Sequence, residues 1–152
     1  MSRQSCLTAA VVAALLTGCV APGALPLDGA ARSEHWVAAW GSAQMVPEGQ
    51  NALAPEQLRD ATLRQVARVS IKGRQLRVRL SNAFGTDALA IDAASIGLST
   101  GPGQAGASAL QPLRFGGGTA VTIPAGAEYL SDPVELAHAA GADLAVSLHF
   151  AA

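Results

Sequence analysis

From about His35 onward, apolar and polar residues alternate in short runs broken every few positions by Gly, Pro, Asn or Asp, and no stretch sustains a period of 3.6 residues. Alternation with period two sends successive side chains to opposite faces of an extended chain, so the pattern predicts β-strands. The clearest is Gln75 to Leu80, with Leu76, Val78 and Leu80 on one face and Arg77 and Arg79 on the other. Leu63 to Ile71 precedes it, and Lys72-Gly73 has the chemistry of a tight hairpin turn joining the two, Gly73 supplying the left-handed residue. Asn82 to Gly85 ends the second strand. Ala88 to Leu98, Leu110 to Phe115, Ala120 to Ile123 and Ala142 to Phe150 read as further strands, the last placing Leu144, Val146, Leu148 and Phe150 on one face. Ser99 to Ala107 and Gly116 to Gly118 are too rich in glycine to be anything but loops, and Pro55 to Asp60 is the one helical candidate. The expectation is an all-β domain over 35–152, a β-sandwich or jelly roll of about seven to nine strands.

The N-terminus follows a different pattern. One Arg within Met1 to Gln4 precedes an almost unbroken apolar run from Leu7 to Leu16, then Thr17, Gly18 and Cys19. That run is too short to span a bilayer, which takes roughly 20 residues, and reads as the core of a signal peptide over 1–18. Leu16-Thr17-Gly18-Cys19 has the form of a bacterial lipobox, which makes Cys19 the expected lipidation point; the alternative is a plain secretory signal cut a few residues later. Two or three acyl chains on one cysteine would give a stable membrane anchor. Residues 19–34, half of them Ala, Pro or Gly and with few large side chains, suit a flexible tether. The expected location is therefore the cell envelope, periplasm or outer membrane, or otherwise the secreted fraction.

Composition narrows the picture by exclusion. The chain has 152 residues, enough for one core and not for two ordinary domains, and its charge of −1 and aromatic content of 4% give no sign of a nucleic-acid surface. Cys6 lies within the signal and Cys19 at its end, so the domain beyond has no thiol for a disulfide, a metal or a nucleophile. His35, His138 and His149 have no H-x-x-H or H-E-x-x-H partner, and neither a metal nor another cofactor is expected. Charge is unevenly spread: Arg59, Arg64, Arg68, Lys72, Arg74, Arg77 and Arg79 crowd one stretch, whereas Glu128, Asp132, Glu135 and Asp143 follow Arg114 without a further base. The first hairpin is thus expected to carry a basic face, either a receptor for an acidic glycan, lipid headgroup or protein, or simply the solvated side of a sheet.

Two motif matches are weak in context. Gly97-Leu98-Ser99-Thr100-Gly101 fits the G-x-S-x-G nucleophile elbow, but the elbow needs a helix after the serine, and Gly101, Pro102, Gly103 and Gly106 oppose one. Gly101 to Gly106 also satisfies G-x-G-x-x-G without the βαβ unit that dinucleotide binding requires. A glycine-rich hairpin loop accounts for both. Asp132 and Asp143 lie in turn-like settings, where a carboxylate commonly accepts backbone N–H groups.

Several blocks, in order, resemble the opening of secreted bacterial SGNH (GDSL-type) hydrolases that carry an N-terminal β domain. They are His35-Trp36-Val37-Ala38-Ala39-Trp40-Gly41-Ser42, Thr62-Leu63-Arg64-Gln65-Val66, and Arg77-Val78-Arg79-Leu80-Ser81-Asn82-Ala83-Phe84-Gly85. Leu113-Arg114-Phe115-Gly116-Gly117, Val121 to Gly126, Ser131-Asp132-Pro133-Val134 and Gly141 to Leu148 continue the resemblance over nearly the whole chain after the tether. It implies an esterase or acylhydrolase whose Gly-Asp-Ser nucleophile block, oxyanion-hole Gly and Asn, and Asp-x-x-His block lie in a following α/β domain. Those blocks do not occur before Ala152, so no catalytic residue is assigned. The expectation is an accessory domain, not catalytic by itself, that meets a catalytic domain C-terminal to it. Trp36, Trp40, Arg64, Asn82 and Phe84 are the candidates for the interdomain or substrate-access surface. The alternative is a cell-surface carbohydrate-binding module, which needs an exposed row of aromatics.

Overall fold

Antiparallel pairing in this chain follows one rule: the first strand joins the last, the second the next to last, and so on inward. The computed structural model describes residues 35–102, 104 and 106–151; the expected signal segment 1–18, the tether 19–34 and Cys19 lie outside the described residues. Ten strands occur among the described residues: β1 Ala61–Arg68, β2 Gly73–Leu76, β3 Arg79–Ser81, β4 Leu89–Ile91, β5 Ala93–Ser99, β6 Ala107–Pro112, β7 Val121–Ile123, β8 Glu128–Leu130, β9 Val134–His138 and β10 Asp143–Phe150. They pair β1 with β10, β2 with β9, β3 with β8, β4 with β7 and β5 with β6, all antiparallel. This is a long hairpin folded over on itself, the ribbon pattern of a jelly roll. A further pairing of β10 with β5 closes the two ends of the ribbon into a four-stranded sheet, β1-β10-β5-β6. The fold is all-β and sandwich-like, as the alternation predicts, with ten strands in place of the expected seven to nine.

The core explains how the ribbon is held folded. Ala94, Ile96, Leu144 and Phe150, on one face of the four-stranded sheet, join Leu80, Ile91, Val121, Ile123 and Leu136 from the other three strand pairs in one buried cluster. Each ladder alone is too short to be stable, so packing across the layers carries the fold. Residues from Val37 onward form one compact unit. On β10, Leu144 and Phe150 are buried as the alternation requires, but Ala145 and Ser147 on the opposite face are buried too, being small residues flanked by longer cross-strand neighbours, Val66 beside Ala145 and Arg64 beside Ser147.

Three expectations change. First, Leu63–Ile71 and Gln75–Leu80 do not form a hairpin: β1 runs to β10 and β2 to β9, in different sheets. Gly73 has no left-handed backbone; it is needed because a Cβ there would lie 2.7 Å from the His138 ring, which packs over it. Second, the predicted strand 75–80 is broken at Val78. Ser131, fully buried, takes over there: its Oγ accepts from Val78 N at 2.9 Å, its own N–H donates to the Val78 carbonyl at 2.8 Å, and its carbonyl accepts from Arg77 Nε at 2.8 Å. A side chain thus stands where a ladder would continue, and the chain steps from β2 to β3. Replacing Ser131 with alanine, which removes only the hydroxyl, strands the Val78 N–H; a loss of about 2 kcal/mol in urea unfolding is expected. Third, the basic hairpin face does not exist as a unit. Nested pairing brings the acidic second half of the chain against the basic first half, so Arg68 meets Asp143 at 2.7 Å and Arg79 meets Glu128 at 3.2 Å. The hydrogen bonds that Arg68 donates to the Asp143 carboxylate, and then the charge of that carboxylate, raise the Arg68 pKa above the ordinary guanidinium value.

Pro55–Leu58 forms a four-residue 3-10 turn, shorter than the predicted helix, with Ala54 N donating to Gln57 Oε1 at 2.9 Å. Of the two glycine-rich stretches, the described residues between β5 and β6 and those of Gly116 to Gly118 are turns or loops outside the named strands, while Ser99 and Ala107 at the edges of the first belong to β5 and β6. In the second, Gly116 and Gly117 have φ of 60° and 86°, and their N–H groups donate to the two carboxylate oxygens of Asp132 at 3.1 and 2.7 Å. Asp132 therefore satisfies backbone donors, though of a turn 15 and 16 residues away rather than its own.

Candidate functional site

The loop after β3 is built around one side chain. Asn82 is 9% exposed, and its Nδ2 lies within hydrogen-bond distance of the carbonyls of Asp87 (2.8 Å), Ile123 (3.0 Å) and Pro124 (3.1 Å). Its backbone N–H donates to Ala127 at 2.9 Å, and its carbonyl accepts from Gly85 at 3.1 Å and Gly126 at 2.9 Å. The amide thus ties the 82–87 loop to the turn after β7, where Gly126 takes a φ of 76°. Gly85 must be glycine for a related reason: a Cβ there would collide with the Asn82 side-chain oxygen. From this fixed base the loop presents Phe84, 47% exposed. Asn82 itself is structural and faces inward; Phe84 is the member of the pair available for contact.

The second locus is the outer face of the four-stranded sheet. Arg64 on β1 stands opposite Ser147 on β10, and Thr62 opposite His149. The register makes these cross-strand neighbours, and the side chains meet: Arg64 Nε donates to Ser147 Oγ at 2.8 Å, and Thr62 Oγ1 lies 3.3 Å from His149 Nδ1. Ser95 and Ala93 continue the two rows onto β5. The floor is made of small residues, because Gly97 lies where a Cβ would come within 2.5 Å of the Ser108 carbonyl at the bulge between β5 and β6. Arg64 is therefore held over this face by Ser147, a partner that the alternation of Leu144 to Phe150 conceals.

The third locus is the segment leading into β1. It is pinned at Ala39, whose carbonyl accepts from both the N–H and the Oγ of Ser70 at 2.9 Å. Trp40 is exposed immediately after that pin. The candidates from the sequence thus occupy separate positions along the fold: Trp36 and Trp40 on the entering segment, Arg64 mid-strand in β1, and Asn82 and Phe84 in the loop after β3.

No protein-family model matches the chain, and no curated protein matches it either.

The remaining polar groups have local work. Ser99 Oγ lies 2.7 Å from the carbonyls of both Gly101 and Gln104 and accepts weakly from Gly101 N–H, so its proton is committed inside its own loop. His138 Nδ1 meets the Leu136 carbonyl at 2.8 Å, an interaction that fixes the ring over Gly73. Tyr129 packs edge-on against Phe115, with ring centroids 5.8 Å apart and an interplanar angle of 79°.

Proposed function

We propose that this domain is the accessory β domain of an exported SGNH (GDSL-type) serine ester hydrolase, not catalytic by itself and working beside a separate α/β catalytic domain. The observation that carries the reading is the 82–87 loop: an exposed Phe84 on a base locked by the buried Asn82 amide. Exposed aromatics held in one geometry lose little entropy on contact, which suits a surface that meets a partner domain or borders its substrate entrance. The ordered sequence blocks from His35 to Leu148 and the all-β fold agree with that role. Arg64, held over the sheet by Ser147, is the second contact of the same kind. The lipobox form of Leu16 to Cys19 supports a place for the assembly on the cell envelope.

The test is to read the gene beyond the codon for Ala152 and to compare hydrolysis of p-nitrophenyl esters by the extended and the 152-residue forms. A following Gly-Asp-Ser block with turnover confined to the extended form is the expected result. In that form Phe84→Ser should lower kcat/KM roughly tenfold while leaving the unfolding midpoint in place, since an exposed contact residue contributes to the partner rather than to its own fold. Absence of a Gly-Asp-Ser block, or turnover by the shorter chain, overturns the reading.

A second reading, a carbohydrate-binding module, draws on the jelly-roll pairing and on the exposed Tyr129 and Phe84 rings. Retardation of the protein in gels containing soluble polysaccharide, lost on Tyr129→Ser, would favour it over the accessory role.

A further inference from the structure

The segment from Val37 to Leu53 carries apolar side chains that the sandwich does not use. Trp40 is 55% exposed, Met45 68% and Leu53 53%, and Val37 and Val46 are exposed beside them. Glu48 is the only charged residue in the same stretch. Apart from the 3-10 turn Gly49–Asn51 the segment has no regular structure, and it is pinned to the strands at Ala39. Large apolar groups gathered in water with a single charge among them are unfavourable unless something covers them.

What covers it is indicated by the chain that leads to it. Cys19 lies 21 residues before Trp40, so even a fully extended chain keeps Trp40 within at most about 75 Å of a lipidated cysteine. The arm is the first described segment after that tether, and a tether of this length raises its effective concentration at the bilayer surface. Tryptophan, with an apolar body and one N–H donor, favours the headgroup boundary, and a stretch with so little charge meets no electrostatic obstacle there. We propose that this arm, through Trp40, Met45, Val46 and Leu53, lies in the interfacial layer of the phospholipid leaflet that holds Cys19. The inference rests on the lipid-anchor reading of Cys19. It gives the anchor a second, protein-based contact, and it orients the domain with the Ala39 end toward the membrane. Because the arm is nearly uncharged, its contact is insensitive to salt and to the anionic lipid fraction.

The two tryptophans of the chain are Trp36 and Trp40, so intrinsic fluorescence reports on this region alone. The processed chain is purified from membranes, and vesicles of phosphatidylethanolamine and phosphatidylglycerol with brominated acyl chains are added in excess; a Trp36→Phe form isolates Trp40. The expected result is emission shifted to the blue, strong quenching by the brominated chains, and little change with added salt. Met45→Ser with Leu53→Ser should weaken the quenching several-fold, with circular dichroism unchanged. Emission that stays red without quenching overturns the assignment. A blue-shifted emission that brominated lipid does not quench also overturns it, since the arm is then covered by protein, the catalytic domain foremost. The mass of the processed chain separately reports whether Cys19 carries acyl groups, so failure of the anchor and failure of the arm are distinguished.

Discussion

Replacing Asn82 with alanine is expected to lower the free energy of unfolding by about 3 kcal/mol, read as a shift of the urea midpoint at unchanged slope. The magnitude comes from what the amide leaves behind. Its Nδ2 serves the carbonyls of Asp87, Ile123 and Pro124, and the residue is 9% exposed, so water cannot readily replace it. A lone hydrogen bond is worth about 1 kcal/mol net, but orphaned buried acceptors cost more than the mean bond. A domain stable by roughly 5–15 kcal/mol would lose a large fraction of its margin. Asn82→Asp keeps the shape and removes the two N–H donors, so it should be nearly as damaging at neutral pH. If either variant unfolds within about 0.5 kcal/mol of the parent, the amide is not the knot described here.

Ile123→Ala is expected to cost about 3–4 kcal/mol by the same measurement. Ile123 is fully buried on β7, opposite Leu89, in the cluster that joins all the strand pairs. Truncation removes apolar burial and leaves a cavity that short strands on either side cannot collapse to fill without moving the turn at Pro124. That turn is what Asn82 holds. The two substitutions should therefore couple, the double variant losing less than the sum of the singles by more than about 0.5 kcal/mol. Strict additivity would mean that the loop and the core are independent, contrary to the shared Ile123 carbonyl.

What the sequence disclosed follows from the range over which each signal acts. Alternation is local, and it found β10, most of β1, β7 and the all-β class, but it joined Ala88 to Leu98 into one strand where β4 and β5, in different sheets, meet at Asp92. Glycine-rich loops are local as well. Partner choice is not: Lys72-Gly73 has good turn chemistry, yet β1 pairs with a strand some eighty residues on, because the core at Leu144 and Phe150 requires it. Glu128–Leu130 and Val134–His138 went unread as strands because they are short, carry acids and flank Pro133, and their extended form is imposed by β3 and β2. The break at Val78 depends on Ser131, more than fifty residues away, which no window around residue 78 contains. At the candidate surface, Trp40 and Phe84 were legible as aromatics beside turn residues. The inward role of Asn82 and the support that Ser147 gives Arg64 arise only from the register.

The nested pairing has a consequence for how the chain could be divided. Every ladder joins a strand from before the 100–106 loop to one from after it, including the extra pairing of β10 with β5. Among the described residues, neither side of that loop contains a ladder of its own. The residues from 35 to 102 carry seven basic and five acidic side chains, and those from 106 to 152 carry one basic and four acidic, so the two parts attract. Opened at this loop, the domain is expected to become a pair of complementary fragments, each supplying the strands of the other with their missing neighbours.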